Sequence, residues 1–175
     1  STTWHDFGDR TYALTGGSNI GMIVTGGRAL MIDAGLDYGS ARKAWRELES
    51  MDAVLAAILL THGHADHFGG AGPVARRAEV PVYAPPLEGV FAEQPMLEPL
   101  YLNGGAAPIE QLRSKFTLAE EGTERTLPLT PGTTTIADLS LDVIPLPGHA
   151  PEQVGIVYEG TFYCGDVIFP EETID

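Results

Sequence analysis

Cysteine, basic side chains and long apolar runs are all scarce in this chain, and each scarcity closes off a class of function. A single cysteine, Cys164, in 175 residues leaves no internal disulfide and no multi-cysteine zinc site. A reducing, cytoplasmic setting is the expectation. Ten Lys and Arg stand against 24 Asp and Glu, a formal charge of −14. That field repels polyanions, so nucleic acid is not the expected partner. A bound cation could reverse the sign locally, and solubility is the plainer use of the charge. The longest apolar run, Val54 to Leu60, falls far short of the ~20 residues of a membrane span, so no membrane association is expected. The start lacks the basic, then apolar, then small-residue pattern of a secretory leader. Ser1 in place of Met leaves room for processing. The length and the 43% hydrophobic content suit one domain with a sizeable core.

The periodicity alternates between strand and helix. Arg10 to Leu14 and Ser18 to Thr25 read as strands, and Gly26-Gly27 as a two-residue hairpin turn returning into a strand over Arg28 to Ile32. Ala41, Ala44, Trp45 and Leu48 share one helical face, with Ser40 as the expected N-cap. Val54 to Leu60 reads as a buried strand, Pro73 to Glu79 as a short helix and Pro81 to Ala84 as a strand. This order predicts a layered α/β fold. Residues 85–121 break the rhythm with five prolines and Gly104-Gly105. They read as an irregular insertion with one short helix near Ile109 to Lys115, either a lid over a site or a plain surface insertion. Phe91, Tyr101 and Leu102 are its candidate apolar contacts. Strands follow at Thr133 to Ala137, Ser140 to Ile144, Gln153 to Tyr158 and Thr161 to Cys164, with a tight turn at Glu159-Gly160.

The chemistry concentrates in THGHADHFGG, residues 61–70. Three of five histidines lie within six positions, with Asp66 among them, just past a buried strand. Each buried imidazole needs hydrogen-bond partners, so three together are hard to accommodate as packing alone. Divalent zinc and iron take imidazole nitrogen and carboxylate oxygen. Gly63, Gly69 and Gly70 allow the tight turning that lets such side chains converge.

THGHADH resembles the HxHxDH signature of the metallo-β-lactamase superfamily, which includes glyoxalase II-like thioesterases, lactonases and persulfide dioxygenases. MIDAG at 31–35, PGHAPEQVG at 147–155 and YCGDVIF at 163–169 resemble that family's other motifs, in the same order along nearly the whole chain. The resemblance implies an αβ/βα sandwich whose second half is incomplete, since the family's last strands, helices and final ligand histidine have no counterpart by Asp175. It implies a first metal held by His62, His64 and His149, a second held by Asp66 and His67, and Asp166 bridging the two. Asp33 would orient the ligand loop without being a ligand. Two zinc sites are implied, the second weak for want of a histidine, with iron or manganese as alternatives. A second copy of the chain could cover the open edge of the second sheet.

Three readings stay open at this stage. One is a hydrolase that uses a metal-bound hydroxide on a small ester, thioester or lactone, with Asp66 orienting the nucleophile. Another is a mononuclear iron enzyme of the persulfide-dioxygenase kind, on His62, His149 and Asp166. The last is a non-catalytic metal-binding or interaction module. Plainer readings also exist for single residues: His149 as a solvated loop histidine, Asp166 as a turn cap, His5 as a surface residue and Cys164 as a buried inert thiol.

Overall fold

Strand ends, rather than strand interiors, carry the residues of interest, so the topology matters mainly for where it delivers them. The computed structural model describes residues 1–168. Seven strands form the first sheet: β1 (Thr3–Gly8), β2 (Thr11–Thr15), β3 (Ile20–Thr25), β4 (Arg28–Ile32), β5 (Val54–Leu59), β6 (Val82–Ala84) and β7 (Thr126–Pro128). They lie in sequence order, antiparallel from β1 to β4 and parallel from β4 to β7. The expected Gly26-Gly27 turn joins β3 to β4 with φ of 57° and 74°, as a two-residue hairpin requires.

Parallel neighbours need crossovers. Helix α1 (Tyr38–Ser50) connects β4 to β5, and α2 (Ala65–Phe68) with α3 (Ala71–Ala78) connects β5 to β6. Helix α1 buries Ala41, Ala44 and Leu48, the face expected from their spacing. Its cap differs: Asp37, not Ser40, is the N-cap, and its carboxylate accepts the Ser40 N–H at 2.9 Å. The hydroxyl of Ser40 instead donates to Asp37.

The second sheet is antiparallel, in the order β11-β10-β9-β8, from β8 (Gly132–Ile136), β9 (Leu139–Pro145), β10 (Val154–Tyr158) and β11 (Thr161–Tyr163). Strand alternation splits the core in two. Ala29 and Met31 face α1 and α3, while Leu30 and Ile32 face the second sheet with Leu141, Val143, Val154 and Ile156. The layers are therefore helix, sheet, sheet. Among the described residues no helical layer covers the outer side of the second sheet.

Several expectations need correction. Residues 85–121 are not simply irregular: they open with α4 (Pro86–Glu93) and α5 (Leu97–Leu102). The prolines that argued against helix sit in the first turns, Pro86 at the start of α4 and Pro99 early in α5, where a missing N–H costs nothing. The helix expected near Ile109 to Lys115 is one 3-10 turn, Glu110–Arg113. Strands β1 and β7 had no expectation, and Arg10 is a turn residue with φ 67° rather than a strand start. His5 lies half-buried on β1 and bonds Thr15 Oγ1 at 2.9 Å, not free on the surface. No helix among the described residues is long and apolar enough to cross a membrane.

Candidate metal centre

Strands β4 and β5 are parallel neighbours in register, Ile32 opposite Leu59, so their carboxyl ends open side by side, where α/β sheets bind ligands. Asp33 follows β4 and Thr61-His62 follows β5. Asp33 holds φ at 58° and spends both oxygens on the neighbouring loop. Its Oδ1 accepts the Thr61 N–H at 2.8 Å, and its Oδ2 accepts the Thr61 hydroxyl at 2.8 Å and faces His67 Nδ1 at 2.8 Å. The bonds of Asp33 thus go to Thr61 and His67. Fixing Nδ1 of His67 aims its Nε2 outward.

Short helix α2 then places consecutive side chains. His64 precedes it in extended conformation, and Asp66 and His67 occupy its first turn. Gly63 could not be another residue without displacing α4, because a Cβ there would lie 2.6 Å from the Glu88 carbonyl oxygen and 2.9 Å from Phe91 Cβ. From the second sheet, the loop between β9 and β10 brings His149, and the 3-10 turn Gly165–Val167 after β11 brings Asp166. The Val154 N–H donates to the Thr61 carbonyl at 3.0 Å and joins the two halves.

Two overlapping clusters result. The ring nitrogens of His62, His64 and His149 can all lie within 4.8 Å of one another. His64 Nδ1 and His149 Nε2 are 3.0 Å apart. His62 is fully buried, and its Nδ1 meets the Thr61 hydroxyl at 2.9 Å. Its Nε2 has no hydrogen-bond partner. A buried, unpartnered imidazole nitrogen on a ring beside two other imidazoles is what a divalent cation would satisfy. Burial holds the His62 ring far below the ordinary imidazole pKa and pushes His64 down to about 4, aided by the neighbouring rings. Both are therefore neutral at pH 7, the form that donates to a metal.

The second cluster surrounds His67. Its Nε2 lies 3.2 Å from Asp166 Oδ1 and 3.6 Å from Asp66 Oδ2. Burial works against a charged ring there, but Asp33, Asp166 and Asp66 outweigh it and hold its pKa up at about 11. Three carboxylates around one imidazole favour positive charge, from a proton or from a cation. Burial pushes the Asp66 carboxyl up, whereas Asp166 stays low despite burial because of His67 and His149. Asp166 Oδ2 is also 3.4 Å from His149 Nε2, so Asp166 touches both clusters, the placement expected of a bridge. Asp33, His62 and His67 form an alternative three-atom group. All seven residues singled out from the sequence are thus brought together. Phe169, the last of YCGDVIF, lies outside the described residues.

The sequence did not reveal the polar supports of this site. Glu88 on α4 accepts the Gly63 N–H, and Glu98 on α5 accepts the Ala65 N–H at 2.8 Å, its pKa pushed up to about 7 by burial. Gln153 Oε1 accepts the Asp166 N–H at 3.0 Å, and its amide donates to the Leu146 carbonyl at 3.3 Å. A lone Glu carries no local pattern, whereas Gln153 stands in the motif PGHAPEQVG, which was singled out for His149 alone. A cleft of about 280 Å³ opens on the second cluster, lined by Asn19, Asp66, His67, Tyr163, Cys164 and Asp166 among others. Cys164 is half-buried there rather than buried. The cleft lining includes no residue of 85–121. In that segment Tyr101 and Leu102 are exposed and Phe91 packs against Gly63.

Comparisons with known proteins address the family and the fold. The family model of the metallo-beta-lactamase superfamily matches residues 13–175. Hydroxyacylglutathione hydrolase 1 of Vibrio vulnificus is 26% identical over 134 residues, 77% of this chain and 42% of its own length. The hydroxyacylglutathione hydrolase of Dechloromonas aromatica is 27% identical over 150 residues, 86% of this chain and 43% of its own. The chain thus spans about two fifths of the length of these curated relatives. Among solved structures, the BLEG-1 B3 metallo-beta-lactamase superposes with a TM-score of 0.65 at 24% identity, over 97% of this chain and 73% of that one. MEM-A1, a subclass B3 enzyme from a soil metagenome library, gives 0.68 at 20% identity, over 91% and 60%.

Proposed function

The chain belongs to the metallo-beta-lactamase superfamily, and on that premise we propose that it is a metal-dependent hydrolase of a small thioester, with esters and lactones as the neighbouring substrate classes. One observation carries the metal reading: buried His62 Nε2 has no partner and converges with His64 and His149. The curated relatives named as hydroxyacylglutathione hydrolases tilt the choice toward a thioester. We propose His62, His64 and His149 as the ligands of a first zinc. Asp66 and His67 would take a second, with Asp166 between the two. The donor set of imidazole and carboxylate suits zinc, with iron or manganese as the other candidates. A bound divalent cation supplies Lewis acidity and lowers the pKa of water from about 15.7 to about 7.

The chain's own residues do the rest. Thr61 holds His62 Nδ1, leaving Nε2 free. Asp33 holds His67 from behind. Asp66, partly exposed beside His67, would orient an attacking water and accept its proton. The net charge of −14 favours a small substrate over a nucleic-acid strand. The partners proposed are that substrate and, along an open edge of the second sheet, a second copy of the chain, tested by the oligomeric state in solution. The setting proposed is cytoplasmic.

The deciding assay is turnover of a panel of thioesters, esters, lactones and phosphodiesters by zinc-loaded protein. Thioester hydrolysis that disappears with a chelator and returns with metal is the expected result. Metal bound without turnover on any of them would instead make the chain a metal-binding module. Iron as the bound metal, with oxygen uptake on sulfur substrates, would favour a dioxygenase.

A further inference from the structure

The three converging imidazoles come from two loops on different sheets, and one side chain touches both loops. Glu88, on α4, is 2% exposed. Its Oε2 accepts the N–H of Gly63, between His62 and His64, at 2.9 Å. Its Oε1 accepts the N–H of Glu152, in the loop of His149, at 2.8 Å. The contact is reciprocated, since the Glu152 carboxylate accepts the Leu87 N–H at 2.7 Å. Burying a carboxylate is costly unless its oxygens are bonded. Here both oxygens are engaged by ligand-loop backbone. A planar carboxylate has a fixed separation between its oxygens, so two N–H groups bound to it are held in fixed relation. The close approach of Gly63 to α4 keeps the first loop seated on the same helix.

We infer that Glu88 is a positioning residue that sets the spacing between the His62–His64 loop and the His149 loop, and through it the geometry of the three-imidazole set. This rests on reading that set as a metal site. It also gives α4 a task independent of any lid: the helix is a brace between the two halves of the site. Glu88→Gln isolates the effect. The amide keeps the volume and one acceptor but presents its NH2 to a backbone N–H, donor against donor.

The test uses the full chain. Zinc affinity is measured by competition with a chromophoric chelator, and ligand geometry by the visible absorption of the cobalt(II)-loaded protein. Glu93→Gln is the control, because Glu93 lies on the same helix but accepts from the N–H and hydroxyl of Thr126, both at 2.7 Å. E88Q is expected to bind the first metal about 10- to 100-fold more weakly, the range for residues that orient ligands, with a shifted cobalt spectrum. E93Q is expected to keep affinity and spectrum even if it unfolds at lower urea. If E88Q does not fold, Glu88→Asp, which keeps both acceptors but shortens their reach, carries the same expectation in milder form. An E88Q protein with wild-type affinity and spectrum overturns the inference. So does an E93Q protein that loses as much, since any loosening of α4 would then suffice. Wild-type protein that binds no metal would overturn the metal reading itself and this inference with it, and the silent wild type tells that failure apart.

Discussion

At the scale of single residues, the orphaned His62 Nε2 and the crowded carboxylate of Asp33 make opposite demands. His62→Ala removes a buried ring nitrogen that has no partner. Elemental analysis should then find the first metal lost while the fold persists by circular dichroism. Asp33→Ala does the reverse: it leaves the buried Thr61 N–H and His67 Nδ1 without their acceptor. Each such group costs about 1–3 kcal/mol, so a drop of a few kcal/mol in urea unfolding is expected. An unchanged urea midpoint would show that water replaces the carboxylate. The histidines and aspartates of this site were legible because they cluster in sequence or stand in motifs. Glu88 and Glu98 were not, because each acts from a segment far from its partners and meets backbone groups, which leave no trace in a residue pattern.

Elements were legible where burial alternates and obscure where local chemistry is ambiguous. The helical face of α1 and the alternation of β9 followed from spacing. The capping residue did not, because Asp37 and Ser40 are both good caps and only backbone conformation chooses between them. Asp37→Ala should therefore cost about 1 kcal/mol, whereas Ser40→Ala should stay within about 0.5 kcal/mol, both read from urea midpoints. Acid dependence gives a second check. The Ser40 N–H, with Lys115, holds the Asp37 carboxyl below its ordinary value of 3.8. The cap's contribution is thus present above that value and lost as the pH falls through the lower folded-state value. The stability gap between wild type and Asp37→Ala should shrink on that descent. Helices α4 and α5 were hidden by prolines that, being in first turns, do not break a helix. Strand β7, with the sequence TLP, was hidden by its closing proline, which argues against a strand.

For the whole molecule, the arrangement of layers decides how the cation and the fold depend on one another. One cluster of core residues joins helices to the first sheet and another joins the two sheets, while the proposed ligands come from both sheets. A cation held there ties the second sheet to the first. At a free concentration 100 times its dissociation constant it would add about 2.7 kcal/mol of stability. For a chain of this size that corresponds to a rise in Tm of roughly 5–11 °C. Calorimetry with and without chelator measures it, and a Tm indifferent to metal would mean that no cation binds the folded chain in preference to the unfolded one.

The histidines that meet across the two sheets, His64 and His149, are 85 residues apart in the chain. At synthesis rates of about 5–20 residues per second, roughly 4–17 seconds separate the emergence of the first from that of the second. During that interval THGHADH can grip a cation through one loop only. On the proposed ligand set, secure loading would have to wait for the second sheet, and a filled first site would date the chain to after its two halves have met.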